Sequence, residues 1–173
     1  MLVERNGSSP FIPTNLMIIL KPDNKIKNRF KDIDFQTLSL VYSILFDNVY
    51  KVKKKRNFTI NLKLTAGIFS YYCFQTGNTV RMNISEIIFD QKQFHVTLLH
   101  EFRHFCQDKA FRIPLTRKYY DDRTEQRYLS SPAEIDADSF SMKNLNGVLN
   151  LYRRLLKFKK STETYSKFNG TDL

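Results

Sequence analysis

From Asp34 onward, apolar residues recur at intervals of three and four. Phe35, Leu38, Val41, Tyr42, Leu45, Phe46 and Val49 form one stripe, the spacing of an amphipathic helix that buries one side. The stripe ends in Lys51, Lys53, Lys54, Lys55 and Arg56, a cationic run suited to a helix C-terminus and a solvated connection. The period then drops to two. Phe58, Ile60, Leu62 and Leu64 share one face, and residues 68–74 and 80–84 are also strand-like, with turn signals at Ala66-Gly67 and Gly77-Asn78 between the three. Connections this short predict an antiparallel meander, and the strict alternation leaves one of its faces wet or covered by a helix.

A helical period returns over residues 91–110, where Phe94, Leu98, Phe102 and Phe105 make an apolar side. Residues 112–130 are a polar, tyrosine-bearing connection containing Pro114. Ser131 and Pro132 then read as an N-cap and a first helical residue. A last stripe of Leu145, Val148, Leu149, Tyr152, Leu155 and Leu156 runs into Arg153, Arg154, Lys157, Lys159 and Lys160. The pattern divides the chain into an N-terminal arm over residues 1–30, with Pro10 and Pro13 holding its first part out of helix and strand, a domain over 31–160 and a loose tail over 161–173.

Composition narrows the class. The chain has 173 residues, 14% of them aromatic, with only 5 Gly and 5 Pro, which suits one folded domain and excludes a disordered or low-complexity chain. No apolar run is long enough to span a bilayer. Glu4 and Arg5 interrupt the N-terminus, and residues 16–20 are too short an apolar run for a signal peptide. Two cysteines, Cys73 and Cys106, make no disulfide framework, so a reducing compartment is expected, the cytoplasm or a particle assembled there. The net charge of +11 fits a nucleic-acid partner, an anionic surface or solubility alone.

The residues that carry chemistry are His100-Glu101-Phe102-Arg103-His104, an HExxH motif. Side chains four apart on a helix lie about 40° from each other around the axis, so both imidazoles project to one side and can share a zinc ion, with Glu101 beside them. The motif uses two of the three histidines in the chain. The third, His95, falls off that face and is expected on the solvated surface. Cys106 lies about 200° around the helix from His104 and is expected in the core.

Downstream stands Ser131-Pro132-Ala133-Glu134-Ile135-Asp136-Ala137-Asp138. An HExxH helix followed by a helix bearing Glu-x-x-Ala-Asp resembles the gluzincin metallopeptidases, in size most similar to the minigluzincins and to the ImmA/IrrE-type and SprT-like families. The resemblance spans residues 57–145. It implies an α+β, zincin-like single domain, with a small, mostly antiparallel sheet of three to four strands packed against the HExxH helix and flanking helices. It also implies His100, His104 and Glu134 as ligands of one catalytic Zn2+, Glu101 as general base and Asp138 as the partner of His100. The activity implied is hydrolysis of peptide bonds by a zinc-activated water.

Physical chemistry supports that division of roles. Three protein ligands leave one position for water, as a catalytic zinc site requires. Asp138 is one helical turn beyond Glu134 and can accept an imidazole N–H. Glu134 also occupies the capping-box position relative to Ser131, and Asp136 is the alternative carboxylate ligand. Residues 67–74 are the candidate edge strand for substrate, and Tyr119, Tyr120, Arg127 and Tyr128 are candidates for stabilising the oxyanion. The partner expected is a protein or peptide substrate. Nucleic acid is a further candidate, through the basic patches from Lys51 to Arg56 and from Arg153 to Lys160, because SprT-like proteases act on DNA-attached proteins. The competing class is a non-catalytic basic module, nucleic-acid-binding or structural, that keeps a vestigial metal site.

Overall fold

A computed structural model describes residues 14–51, 53–65, 71–73, 78–83, 91–109 and 131–168. Strand β1 (Leu16–Pro22) leads into helices α1 (Asn24–Arg29) and α2 (Phe35–Tyr50). Strands β2 (Arg56–Thr65), β3 (Tyr71–Cys73) and β4 (Thr79–Asn83) follow, then α3 (Gln91–Lys109) and the long α4 (Pro132–Phe168).

The helix starts are chemically marked. The Asp23 carboxylate accepts from the Ile26 N–H at 2.8 Å to cap α1. Asp34 accepts from Gln36 and Thr37 at 3.0 and 2.9 Å to cap α2. Helix α2 stops where Lys51 takes a left-handed conformation, φ 47°. The Asp34 cap is tied to α4 as well, by Lys159 at 2.6 Å and by the Tyr152 hydroxyl, which accepts the Asp34 N–H at 2.7 Å.

The sheet has the order β1-β2-β4-β3, with β1, β2 and β4 parallel and only β3 antiparallel, to β4. This corrects the mostly antiparallel meander expected from the sequence. β3 and β4 do pair as a hairpin, with Cys73 opposite Thr79, but β4 lies between β3 and β2, so β2 and β4 run the same way. The β1–β2 pair is parallel because α1 and α2 intervene and return the chain to its starting end. Period-two alternation specifies which residues share a face, and that signal is the same in both orientations.

The alternation expected in β2 places Ile60 and Leu62 on the buried face, and β1 and β4 extend that face. Ile18, Leu20, Ile60, Leu62, Val80 and Met82 are buried, while Met17, Ile19, Lys21 and Lys63 between them are exposed. The helices cover the apolar face, and one cluster joins the strands to Leu38, Val41, Tyr42 and Phe46 of α2 and to Phe94, Leu98, Leu99 and Phe102 of α3. Tyr42 and Phe46 pack on Phe102 with ring centroids 4.6 and 5.0 Å apart.

The arm and the tail also shift. Residues 16–30, assigned to the arm from the sequence, belong to the fold: Leu16, Ile18, Leu20 and Ile26 are all in the core. Residues 1–13 lie outside the described residues. Helix α4 continues to Phe168, seven residues beyond the tail boundary expected at 161. Among the described residues no helix is long and apolar enough to cross a membrane, and Cys106 is a free, buried thiol.

Candidate metal centre

Helix α3 turns Phe94, Leu98, Phe102 and Phe105 toward the core, which leaves the arc bearing His100 and His104 against the first turns of α4. Ser131 begins α4, its hydroxyl accepting the Glu134 N–H at 3.3 Å. The Glu134 carboxylate lies against both imidazoles, with one oxygen 3.1 Å from His100 Nε2 and the other 3.1 Å from His104 Nε2. The two Nε2 atoms are 3.0 Å apart. His100, His104 and Glu134 together form a group that could hold a metal ion, every ligand atom within 4.8 Å of the others.

The cluster is shielded. Glu101, His104 and Glu134 are 4%, 6% and 5% exposed, and His100 is half-buried. Burial opposes charge on His100, but the carboxylates of Glu134, Glu101 and Asp138 outweigh it and raise the imidazole to about 9. His104 is raised too, because Glu134 and Glu101 outweigh burial and the neighbouring His100. Without a metal, this pocket of carboxylates attracts positive charge.

Each imidazole is held from its other nitrogen. His100 Nδ1 is 2.8 Å from Asp138 Oδ1. His104 Nδ1 is 2.8 Å from Gln107 Oε1. Asp138 is one turn past Glu134, on the exposed side of the site. Gln107 was missed from the sequence. Its only signal there is its position three residues after His104, one turn along the same helix face.

Asp136 is engaged elsewhere. Its two oxygens face Arg103 Nε and Nη2 at 2.6 and 3.1 Å. Gln107 Nε2 donates to it at 2.8 Å and to the Ala133 carbonyl at 3.1 Å. Burial works against the Asp136 charge, but Arg103 and Gln107 hold its carboxyl below the ordinary value. Arg103, the second middle residue of the motif, also donates to the Tyr50 hydroxyl and lies 5.0 Å from the Phe140 ring.

His95 departs from the surface position expected for it. It is fully buried between Phe94 and Tyr152. Cys106 is in the core as expected, its thiol pushed up to about 12 by burial. Tyr119, Tyr120, Arg127 and Tyr128 lie outside the described residues, as do residues 67–70 and 74 of the candidate edge strand. The remainder of that strand, β3, is the terminal strand of the sheet among the described residues, and it contacts α3.

Of the two basic patches, Lys51, Lys53, Lys54, Lys55 and Arg56 are exposed, and among the described residues they form no ion pair. In the second, Arg153, Arg154, Lys157 and Lys160 are exposed, whereas Lys159 pairs with Asp34.

No protein-family model, curated protein or solved structure matches the chain.

Proposed function

We propose that the protein is a zinc-dependent metallopeptidase of gluzincin type. The observation that carries the reading is the convergence of two imidazole nitrogens and one carboxylate at 3.0 to 3.1 Å, one helical turn of α3 facing the first turn of α4. In a tetrahedral site with bonds of about 2.0–2.1 Å, ligand atoms sit about 3.3 Å apart, so this set needs only a small expansion. The donor types suit zinc, and each imidazole has its outer nitrogen beside an acceptor, which leaves Nε2 free to ligate.

When bound, zinc supplies a Lewis acid that polarises a carbonyl and lowers the pKa of a coordinated water. Two neutral imidazoles and one carboxylate leave a net positive charge at such a centre, which preserves that acidity. Glu101 has the general-base role: its carboxylate accepts the proton of the attacking water and passes it to the leaving amine. Its charge is already felt by both histidines. Strand β3, at the end of the sheet, offers backbone groups to an extended peptide. The exposed cations of the α2–β2 connection favour an acidic substrate, or one attached to nucleic acid.

The test is zinc content of the purified chain, together with proteolysis by wild type and Glu101→Gln. One zinc per chain, and activity lowered about 10²–10⁴-fold in the variant with metal retained, is expected. Absence of stoichiometric metal, or full activity in Glu101→Gln, rejects the peptidase. Salt-dependent DNA binding that survives His100→Ala, in a chain without proteolysis, would instead establish the non-catalytic module.

A further inference from the structure

We infer that Gln107 is the positioning residue that presents His104 to the metal through Nε2, and that Asp136 and Ala133 of α4 set the orientation of the Gln107 amide. The inference rests on the metal reading above and goes beyond it by assigning a residue outside the HExxH and Glu-x-x-Ala-Asp patterns.

A glutamine amide has a donor end and an acceptor end, and its surroundings decide which way round it sits. Gln107 Nε2 meets two acceptors, Asp136 Oδ2 at 2.8 Å and the Ala133 carbonyl at 3.1 Å. The NH2 group is thereby committed to α4, and Oε1 must face His104 Nδ1, 2.8 Å away. An amide oxygen only accepts, so Nδ1 carries a proton whether the ring is charged or neutral, and in the neutral ring that a metal requires the lone pair falls on Nε2, the atom beside Glu134. The tautomer of His104 is thus decided by two groups on the neighbouring helix.

The far end is locked as well. Arg103 grips both Asp136 oxygens and is itself held at Tyr50. Asp136 cannot turn toward the metal without abandoning a bidentate pair. Ala133 and Asp136 also flank Glu134 in the chain, so the Gln107 contacts fix how α4 brings its own ligand to the two histidines. His100 is served differently, by the exposed charged carboxylate of Asp138.

The experiment is Co2+ titration followed by its visible absorption, with Zn2+ competition, on wild type, Gln107→Leu, Gln107→Glu and Gln107→Glu/Asp136→Asn. The His104 ring nitrogens of the zinc-loaded proteins are then read by 15N NMR. Loss of an outer partner costs metal affinity about 10–100-fold, which is expected for Gln107→Leu. Gln107→Glu is expected to weaken binding likewise, because its carboxylate would face that of Asp136. The double variant should recover to within a few-fold of wild type, since the amide introduced by Asp136→Asn can donate to the new carboxylate, and should again show His104 protonated at Nδ1.

Unchanged Co2+ affinity and unchanged His104 shifts in Gln107→Leu overturn the inference and leave the metal site standing. Equal losses in all three variants, with no recovery in the double, overturn it as well, since a purely structural role predicts that. Wild-type protein that takes up neither Co2+ nor Zn2+ overturns the metal reading itself.

Discussion

The backbone N–H of Ile18 donates to the hydroxyl of Ser43 at 2.8 Å, from the outer edge of β1 to helix α2. Two residues along, the Leu20 N–H donates to Ser39 at 3.0 Å. A two-residue step in a strand advances about 6.6 Å and a four-residue step in a helix about 6 Å, so two serines one turn apart match two successive outward N–H groups. Two donors on the outer edge of the terminal strand are thereby taken by α2. Ser43→Ala leaves the buried Ile18 N–H without its acceptor and should cost about 1–3 kcal/mol, with a smaller loss for the less buried Ser39→Ala. Urea unfolding of the two variants measures both, and a Ser43→Ala protein as stable as wild type would exclude the role.

His95 makes stability sensitive to acid. Both ring nitrogens lack a hydrogen-bond partner among the described residues, and burial, assisted by Arg153, lowers the imidazole from 6.5 to about 4. Above pH 6.5 the ring is neutral in folded and unfolded chains, and nothing is lost. As pH falls through 6.5 toward 4, the unfolded chain binds a proton that the folded one refuses, so stability declines, by about 3 kcal/mol at most. His95→Leu removes this component. Its stability relative to wild type should rise steadily between about pH 7 and about pH 4.5 in paired denaturation curves; a constant difference would show that His95 does not titrate as described.

Metal uptake should release protons. The metal-free site holds His100 raised to about 9, hence protonated at neutral pH, whereas a ligand imidazole must be neutral. At least one proton should leave per metal at about pH 7.5, with apparent affinity rising about tenfold per pH unit below about pH 9 and levelling above it. Calorimetry in buffers of different ionisation enthalpy counts those protons. A count of zero would contradict the charge state derived for His100.

Asp136 and Asp138 should differ in what they do to stability. Asp138 is exposed and contacts His100, so Asp138→Ala is expected to lower zinc affinity about 10–100-fold with little effect on unfolding. Asp136→Ala removes the bidentate partner of the largely buried Arg103, and should cost about 1–3 kcal/mol of stability. Thermal unfolding of the two proteins decides it, and zinc competition should show Asp136→Ala weakened as well, through the Gln107 contact to His104; an Asp136→Ala protein as stable as wild type would show that the Arg103 pair contributes nothing.

Much of the molecule was written locally. The stripe from Phe35 to Val49, the cap and proline at Ser131 and Pro132, the alternation in β2 and the HExxH spacing are all readable, because a helix or a strand imposes its own period on the residues that form it. Strand β1 was lost because seven residues with three buried positions carry too little periodicity to stand out. Strand order and direction were lost for a different reason: alternation labels a face and is silent about the neighbour.

At the site, the sequence by itself determined that two histidines share one helix face and that Glu134 and Asp138 share another. Only the packing of α3 on α4 decided that those faces meet, that Asp136 belongs to Arg103, that Gln107 holds His104, and that His95 is buried against Tyr152. A side chain's spacing along its own helix follows from backbone geometry alone, whereas its partner depends on how two helices separated by more than twenty residues settle against each other.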